Sequence, residues 1–318
     1  MQRDELVEGI RHILAKAGFY VSKPINMKSI SFDIVARRDQ LLLIIKVLTN
    51  VDAFSKDNAE EIKVLAEALQ AAPILIGEKS GSRDIEAGIV YSRFGVPIIS
   101  PETLSDYLLE GVPPFIFAAP GGLYVRLDSD LLRSIREKKN ISLGTLAEVA
   151  GVSRRTIKMY ESGMGAMIDV ALRLEEYLGE FLVMPLDPFK YTPDTSERLT
   201  NLSDMDDLSR EVFALLGRLG YSVLPTARCP FEALTKDNRT LIITGVGKDE
   251  TKLVEKACIV GDISKITERK SVIFLRHSRS KQNIGGAAII GKDELKKLDE
   301  SQELFEMVIA RCGAHEKH

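Results

Sequence analysis

The chain has 318 residues, 45% of them apolar, with 43 Lys and Arg against 46 Asp and Glu and a formal net charge of −3. That length implies roughly two or three domains of about 100 to 150 residues, and the apolar fraction is that of a folded soluble protein. No apolar run approaches the roughly 18 to 20 residues of a membrane span, and the charged start MQRDELVEG lacks a signal-peptide core, so a cytoplasmic protein with no membrane partner is expected.

The first predicted element is a helix over residues 4 to 17, with Leu6, Ile10, Ile13, Leu14 and Ala17 at helical spacing and Gly18 where a helix terminus favours a left-handed residue. Strands follow at Phe19 to Val21, Ile30 to Ala36 and Leu41 to Val47, the last two joined by Arg38-Asp39-Gln40. A helix from Asp57 to Gln70, strands at Pro73 to Ile76 and Val96 to Ile99, and a helix from Pro101 to Leu109 complete a mixed sheet flanked by helices, placed at 1–112. Pro113-Pro114 and Pro120-Gly121-Gly122 then read as an exit, a helical region occupies 125–182, and Pro185, Pro188 and Pro193 mark a linker over 183–204.

Over 205–312 the phrases of the first region return. Phe32-Asp33 and the strand Leu42-Leu43-Ile44 are answered by Phe231-Glu232 and Leu241-Ile242-Ile243 at a constant offset of 199, and Ile74-Leu75-Ile76 by Ile273-Phe274-Leu275 at the same offset. Ile98-Ile99 with Leu104 matches Ile289-Ile290 with Leu295 at an offset of 191. Four phrases in one order argue for duplication. The fold expected is therefore α/β plus all-α: a central domain of four to five helices between two related mixed-sheet α/β domains.

Charge is not evenly spread. Leu131 to Tyr160 holds seven Lys and Arg against two Asp and Glu, a local +5, so the rest of the chain carries −8. Within it, a helix from about Asp130 to Lys139 turns Leu131, Leu132 and Ile135 inward and leaves Arg133, Arg136, Lys138 and Lys139 outside. Ser142 is placed to cap a second helix ending at Ala150, Gly151 supplies a tight turn, and Ser153 caps a third helix. Small Ala147 permits close helix approach, with Leu146, Val152, Ile157 and Tyr160 filling the space between. Arg154, Arg155, Thr156 and Lys158 are left outward at the start of the third helix, where Arg can bridge guanine O6 and N7 in a major groove. With Thr145 beside Ser142, these are the candidate DNA-contacting residues. Ala147, Gly151, Val152 and Ile157, followed by Glu161-Ser162-Gly163, resemble the repressor and Cro-like helix-turn-helix family, whose fourth helix is matched by Met167 to Gly179. Where that family often has Gln at the second helix, this chain has Leu143-Gly144.

In SFDIVARRDQLLLIIKV, Asp33 and Lys46 resemble the restriction-endonuclease and Holliday-junction-resolvase fold, whose motif is an Asp, then a Glu two residues before a Lys. The resemblance implies a divalent metal held by the two carboxylates. The Glu position is Ile44, which cannot ligate a hard cation, and in the second region Glu232, Ile243 and Gly245 stand at the three positions. Asp33 and Lys46 thus read as a degenerate remnant, with Lys46 a strand-end lysine reaching solvent, and no enzyme is expected. Cys229, Cys258 and Cys312 fit neither a disulfide framework nor a zinc spacing, and His12, His315 and His318 read as solvated or packing residues, so neither metal nor cofactor is expected.

As a whole the chain resembles archaeal transcriptional regulators with a central helix-turn-helix. The expected function is sequence-specific binding of double-stranded DNA by a homodimer. A structure-specific DNA-processing protein and a scaffold that does not bind DNA stand as alternatives, and no effector is named by the sequence.

Overall fold

The computed structural model describes residues 2–25, 30–191, 205–247, 250–277 and 281–313. Among these, no helix is long and apolar enough to cross a membrane. The first region runs α1 (Arg3–Lys16), β1 (Tyr20–Val21), β2 (Ile34–Arg38), β3 (Leu41–Asn50), α2 (Lys56–Leu69), β4 (Ala72–Ser80), β5 (Arg83–Asp84), β6 (Ile89–Arg93), β7 (Val96–Ile99) and α3 (Pro101–Ser105). Helix α1 buries Leu6, Val7, Ile10 and Leu14, one stripe of the 3.6-residue period. Strand β2 begins at Ile34 rather than Ile30. Its hairpin with β3 pairs Ile34 with Ile45 through Arg38 with Leu41, turning at Asp39 with φ 52°, a conformation Asp tolerates better than most residues. The short strands β5 and β6 are additions to the expected set; Arg83–Asp84 is fully polar and IVYSR is mostly half-exposed, so neither shows an apolar run.

The central region has β8 (Ile116–Ala119), β9 (Gly122–Leu127), α4 (Ser129–Lys138), α5 (Leu143–Ala150), α6 (Arg154–Tyr160), β10 (Ala166–Met167), α7 (Ile168–Leu178) and β11 (Val183–Met184). Pro120-Gly121, read in the sequence as an exit, is the turn of a β8–β9 hairpin pairing Ala119 with Gly122 and Ile116 with Val125. Turns and linkers use the same residues, which is why the two were confused. Strand β8 runs parallel to β6, so one sheet passes from β4 through β7, β6 and β8 to β9, and both β10 and β11 pair with β9. The helical core includes that sheet edge: Val125 and Leu127 pack with Leu132, Leu146, Ile157, Leu174 and Leu182. Residues 183–191, expected to begin a linker, fold back instead. The Leu186 amide donates to Pro114 O at 2.7 Å, and Phe189 is buried with its ring 5.5 Å from that of Tyr107. The remainder of the proposed linker, 192–204, lies outside the described residues, as do His315 and His318.

The last region runs α8 (Asp207–Arg218), β12 (Ser222–Pro225), β13 (Ala233–Lys236), β14 (Leu241–Val246), α9 (Glu250–Thr267), β15 (Lys270–Leu275), β16 (Asn283–Ile284), β17 (Ala287–Gly291), α10 (Lys292–Leu295) and α11 (Ser301–Gly313). Its six strands are ordered β12-β13-β14-β15-β17-β16. The β13–β14 hairpin pairs Ala233 with Thr244, the same register as Ile34 with Ile45 once the offset of 199 is applied. In both regions a parallel strand pair follows, β4 with β7 and β15 with β17, and the last strand also takes an antiparallel neighbour, β6 or β16.

The chain divides into two compact units that do not follow linear domain limits. One holds Met1–Ala17, Val47–Lys56 and Ile74–Tyr191; the other holds Gly18–Lys46, Asp57–Pro73 and Thr192–His318. Within the second unit, the first region's hairpin and α2 pack against the last region. Glu61 accepts from the Ala227 and Arg228 amides at 2.9 and 2.8 Å, and the Ser31 amide donates to Arg228 O at 2.9 Å. Reciprocally, Asp262 of α9 accepts from the Lys23 amide at 2.7 Å, and Arg37 pairs with Glu268 at 2.7 Å.

Candidate nucleic-acid interface

Helices α4, α5 and α6 each begin at a side-chain cap. Asp128 accepts from the Leu131 amide at 2.9 Å, Ser142 from the Thr145 amide at 3.0 Å and Ser153 from the Thr156 amide at 3.1 Å, satisfying first-turn donors that the helix itself leaves open. Each serine also lies 2.9 Å from the hydroxyl of its threonine, Thr145 or Thr156. Helix α5 stops at Gly151, whose φ of 68° lies in the left-handed region open to glycine. Ala147 and Ile157 are buried and half-buried Val152 packs on the same core, as the spacing implied. Ser129 Oγ donates to Tyr160 O at 2.6 Å, fixing the start of α4 to the end of α6.

Apart from half-exposed Arg133, which lies 3.9 Å from Glu161, the cations of the helical region fall into two groups. Arg154, Arg155 and Lys158 are exposed on α6 and Lys138 at the end of α4, and none of the four has an ion pair among the described residues. Arg154 lies over the start of α5, because a Cβ on Gly144 would come within 3.1 Å of its Nε and of a terminal nitrogen. Gly144, where the Cro-like pattern often has Gln, therefore leaves room for this guanidinium.

The second group is structural. Arg136, expected to face outward, donates to Glu161 through Nε at 2.5 Å and through a terminal nitrogen at 3.2 Å, with only 15% of its side chain exposed. Glu161, legible in the sequence only as part of the Cro-like motif, has a buried carboxylate that makes this bidentate pair possible and raises the arginine pKa, first through the hydrogen bond. Lys139 donates to Leu178 O at 2.6 Å and so caps the end of α7, where a cation also complements the helix dipole. Arg173 donates to Ala150 O at 2.8 Å and pairs with Asp169 at 3.0 Å, bracing the turn from α7. Only the fold could separate these partnered cations from the unpartnered ones.

At the nuclease-like position, Asp33 and Lys46 are adjacent but enclosed, 3% and 6% exposed. Lys46 does not reach solvent, correcting the expectation for a strand-end lysine: its ammonium donates to Ile30 O at 2.6 Å and lies 3.4 Å from Asp33. Ile44 is 1% exposed, an apolar core side chain where an acid would be needed. Among the described residues no group of three or more His, Cys, Asp or Glu could hold a metal ion. In the last region the lysine comes from another element. Lys256 of α9 lies within 2.6 Å of both Glu232 oxygens and donates to Val246 O at 2.7 Å.

Residues 3–114 match the PD-(D/E)XK superfamily domain and residues 132–180 match a helix-turn-helix. A chain of this architecture is a DNA-binding regulator class carrying a nuclease-like domain. Relatives align along its whole length: one from Methanosarcina acetivorans is 40% identical over 322 residues, 98% of either chain, and one from Methanosarcina mazei is 39% identical over 327 residues, 99% of this chain and 100% of its own. A third, from Methanocella arvoryzae, is 36% identical over 315 residues, 98% of this chain and 97% of its own. All three are provisionally named HTH-type transcriptional regulatory proteins. The chain belongs to this family of archaeal HTH-type transcriptional regulators, with an N-terminal PD-(D/E)XK nuclease-like domain and a central helix-turn-helix. No solved structure matches it.

Proposed function

We propose that α6 enters the major groove of double-stranded DNA, with Arg154 and Arg155 reading base edges and Lys158 and Lys138 contacting phosphates. The observation that carries this reading is the sorting of cations: among the described residues those on the outer start of α6 have no ion pair, whereas Arg136, Lys139 and Arg173 brace the helices. The Ser142 and Ser153 caps place two helix N-termini at that surface, and both favour phosphate. One reading helix per chain binds weakly. A homodimer on a pseudo-palindrome with half-sites about 34 Å apart, or a multiple of that, supplies the missing affinity.

The α/β regions serve as scaffold and control, and the last is a further-diverged copy of the first. Burial of Asp33 and Lys46, with Ile44 at the acid position, argues against cleavage chemistry. The test is binding to random-sequence duplex over a salt series. The proposal predicts affinity that falls steeply with salt, with Lys138→Ala lowering the log–log slope by about 0.9. Salt-insensitive binding, or none, would favour the scaffold reading, and magnesium-dependent cutting of branched DNA would favour a processing enzyme.

A further inference from the structure

A cavity of about 710 Å³ opens on the last region, between the segment that joins β1 to β2 and the end of α9. That volume is in the range of small-molecule sites. Four cationic side chains line it, Lys23, Lys265, Arg269 and Lys270, and none has an ion pair among the described residues. Its two lining carboxylates are already engaged: Asp262 accepts the Lys23 amide at 2.7 Å and Glu268 pairs with Arg37 at 2.7 Å. The cavity thus presents a surplus of positive charge in a chain whose net charge is −3.

Its floor is rigid. The Gly285–Gly286 turn between β16 and β17 adopts φ of 62° and 96° and lies on α9, where a Cβ on Gly261 would come within 2.1 Å of Gly285 O. The Lys265 ammonium lies beside this turn, 4.0 Å from where a Cβ on Gly286 would stand.

We propose that this cavity binds a small phosphate-bearing molecule, bridging Lys23 of the first region to Lys265, Arg269 and Lys270 of the last. Clustered cations without partners repel one another, and a multivalent anion relieves that while forming charge-assisted hydrogen bonds. Among the described residues Lys23 is fastened to α9 through its backbone amide, so an anion that also takes its ammonium tightens the joint between the two regions. The ligand is a control input to the regulator, and its binding does not depend on whether α6 reads DNA.

Cys258 lines the cavity and is exposed, whereas Cys229 is buried and its thiol is pushed well above the ordinary value by burial. Alkylation of Cys258 in the full-length Cys312→Ser protein therefore reports occupancy. Inorganic pyrophosphate or ATP at ten times its Kd should slow that alkylation about tenfold, and Lys265→Ala with Arg269→Ala should remove the protection. Two results overturn the proposal: no protection of the otherwise wild-type cavity by either anion, or protection by a short DNA duplex and not by the small anions, which would make the cavity part of a nucleic-acid groove. Alkylation is read without operator DNA, so failure here leaves the reading of α6 standing, and failure of that reading leaves this one.

Discussion

Glu61 and Asp262 hold the two α/β regions together reciprocally: the α2 carboxylate accepts amides from Ala227 and Arg228 in the last region, and the α9 carboxylate accepts the amide of Lys23 in the first. The two helices occupy corresponding places in regions that share a hairpin register. The contact is therefore reciprocal within one chain: each region offers a helix acid to the other region's loop.

That reciprocity is testable amide by amide. Hydrogen bonds to charged groups contribute about 1.5 to 3 kcal/mol, so Glu61→Ala should speed exchange at Ala227 and Arg228, and Asp262→Ala should speed it at Lys23. Uniform acceleration in both variants would mean that the carboxylates act on global stability alone.

The Arg136–Glu161 pair should behave as a structural brace. Glu161→Ala leaves the Arg136 guanidinium with exposed Glu137 at 3.3 Å in place of its buried bidentate partner, and should cost about 3 kcal/mol in denaturant unfolding. Substituting both residues with apolar ones should cost less than Glu161→Ala alone. If Arg136→Ala left stability unchanged and only weakened DNA binding, the guanidinium would instead belong to the interface.

Tyr221 sets an alkaline limit. Burial pushes its phenol up to about 12, and its hydroxyl donates to Ser301 O at 2.8 Å. The folded value lies above the unfolded value of 10.0, so the contribution to stability is complete below pH 10 and is lost as pH rises from 10 through 12. Unfolding midpoints measured across that window should fall more steeply for wild type than for Tyr221→Phe.

The enclosed nuclease-like position predicts a variant that fails in folding before it fails in chemistry. Asp33→Ala removes the Lys46–Asp33 ion pair from an enclosed setting, and should destabilise the chain by about 3 kcal/mol. Branched DNA incubated with magnesium or manganese should remain uncut by the wild type, and cleavage lost in Asp33→Ala would reverse that conclusion.

The sequence showed the helix-turn-helix in nearly final form. Ser142, Gly151 and Ser153 are local signals, each acting on its own backbone turn, and the apolar stripe through Leu146 and Ile157 follows from periodicity. The hairpin register common to the two α/β regions was legible for a similar reason, since a hairpin keeps residue spacing fixed. What stayed hidden depended on distant partners. Arg136 looks outward until Glu161, 25 residues on, folds beneath it, and Lys46 looks like a strand-end lysine until Ile30 and Asp33 close around it. Lys256 gave no signal, because its partner Glu232 lies 24 residues away on a different element, just before β13.

The central claim is that α6 reads sequence. Selection of bound duplexes from a random pool at two salt concentrations, run with wild type and with Arg154→Ala/Arg155→Ala, addresses it directly. The account predicts an enriched pseudo-palindrome for wild type, with half-sites spaced by whole turns of about 10.5 base pairs, that the double variant loses or changes. The same motif enriched equally by both proteins would contradict it.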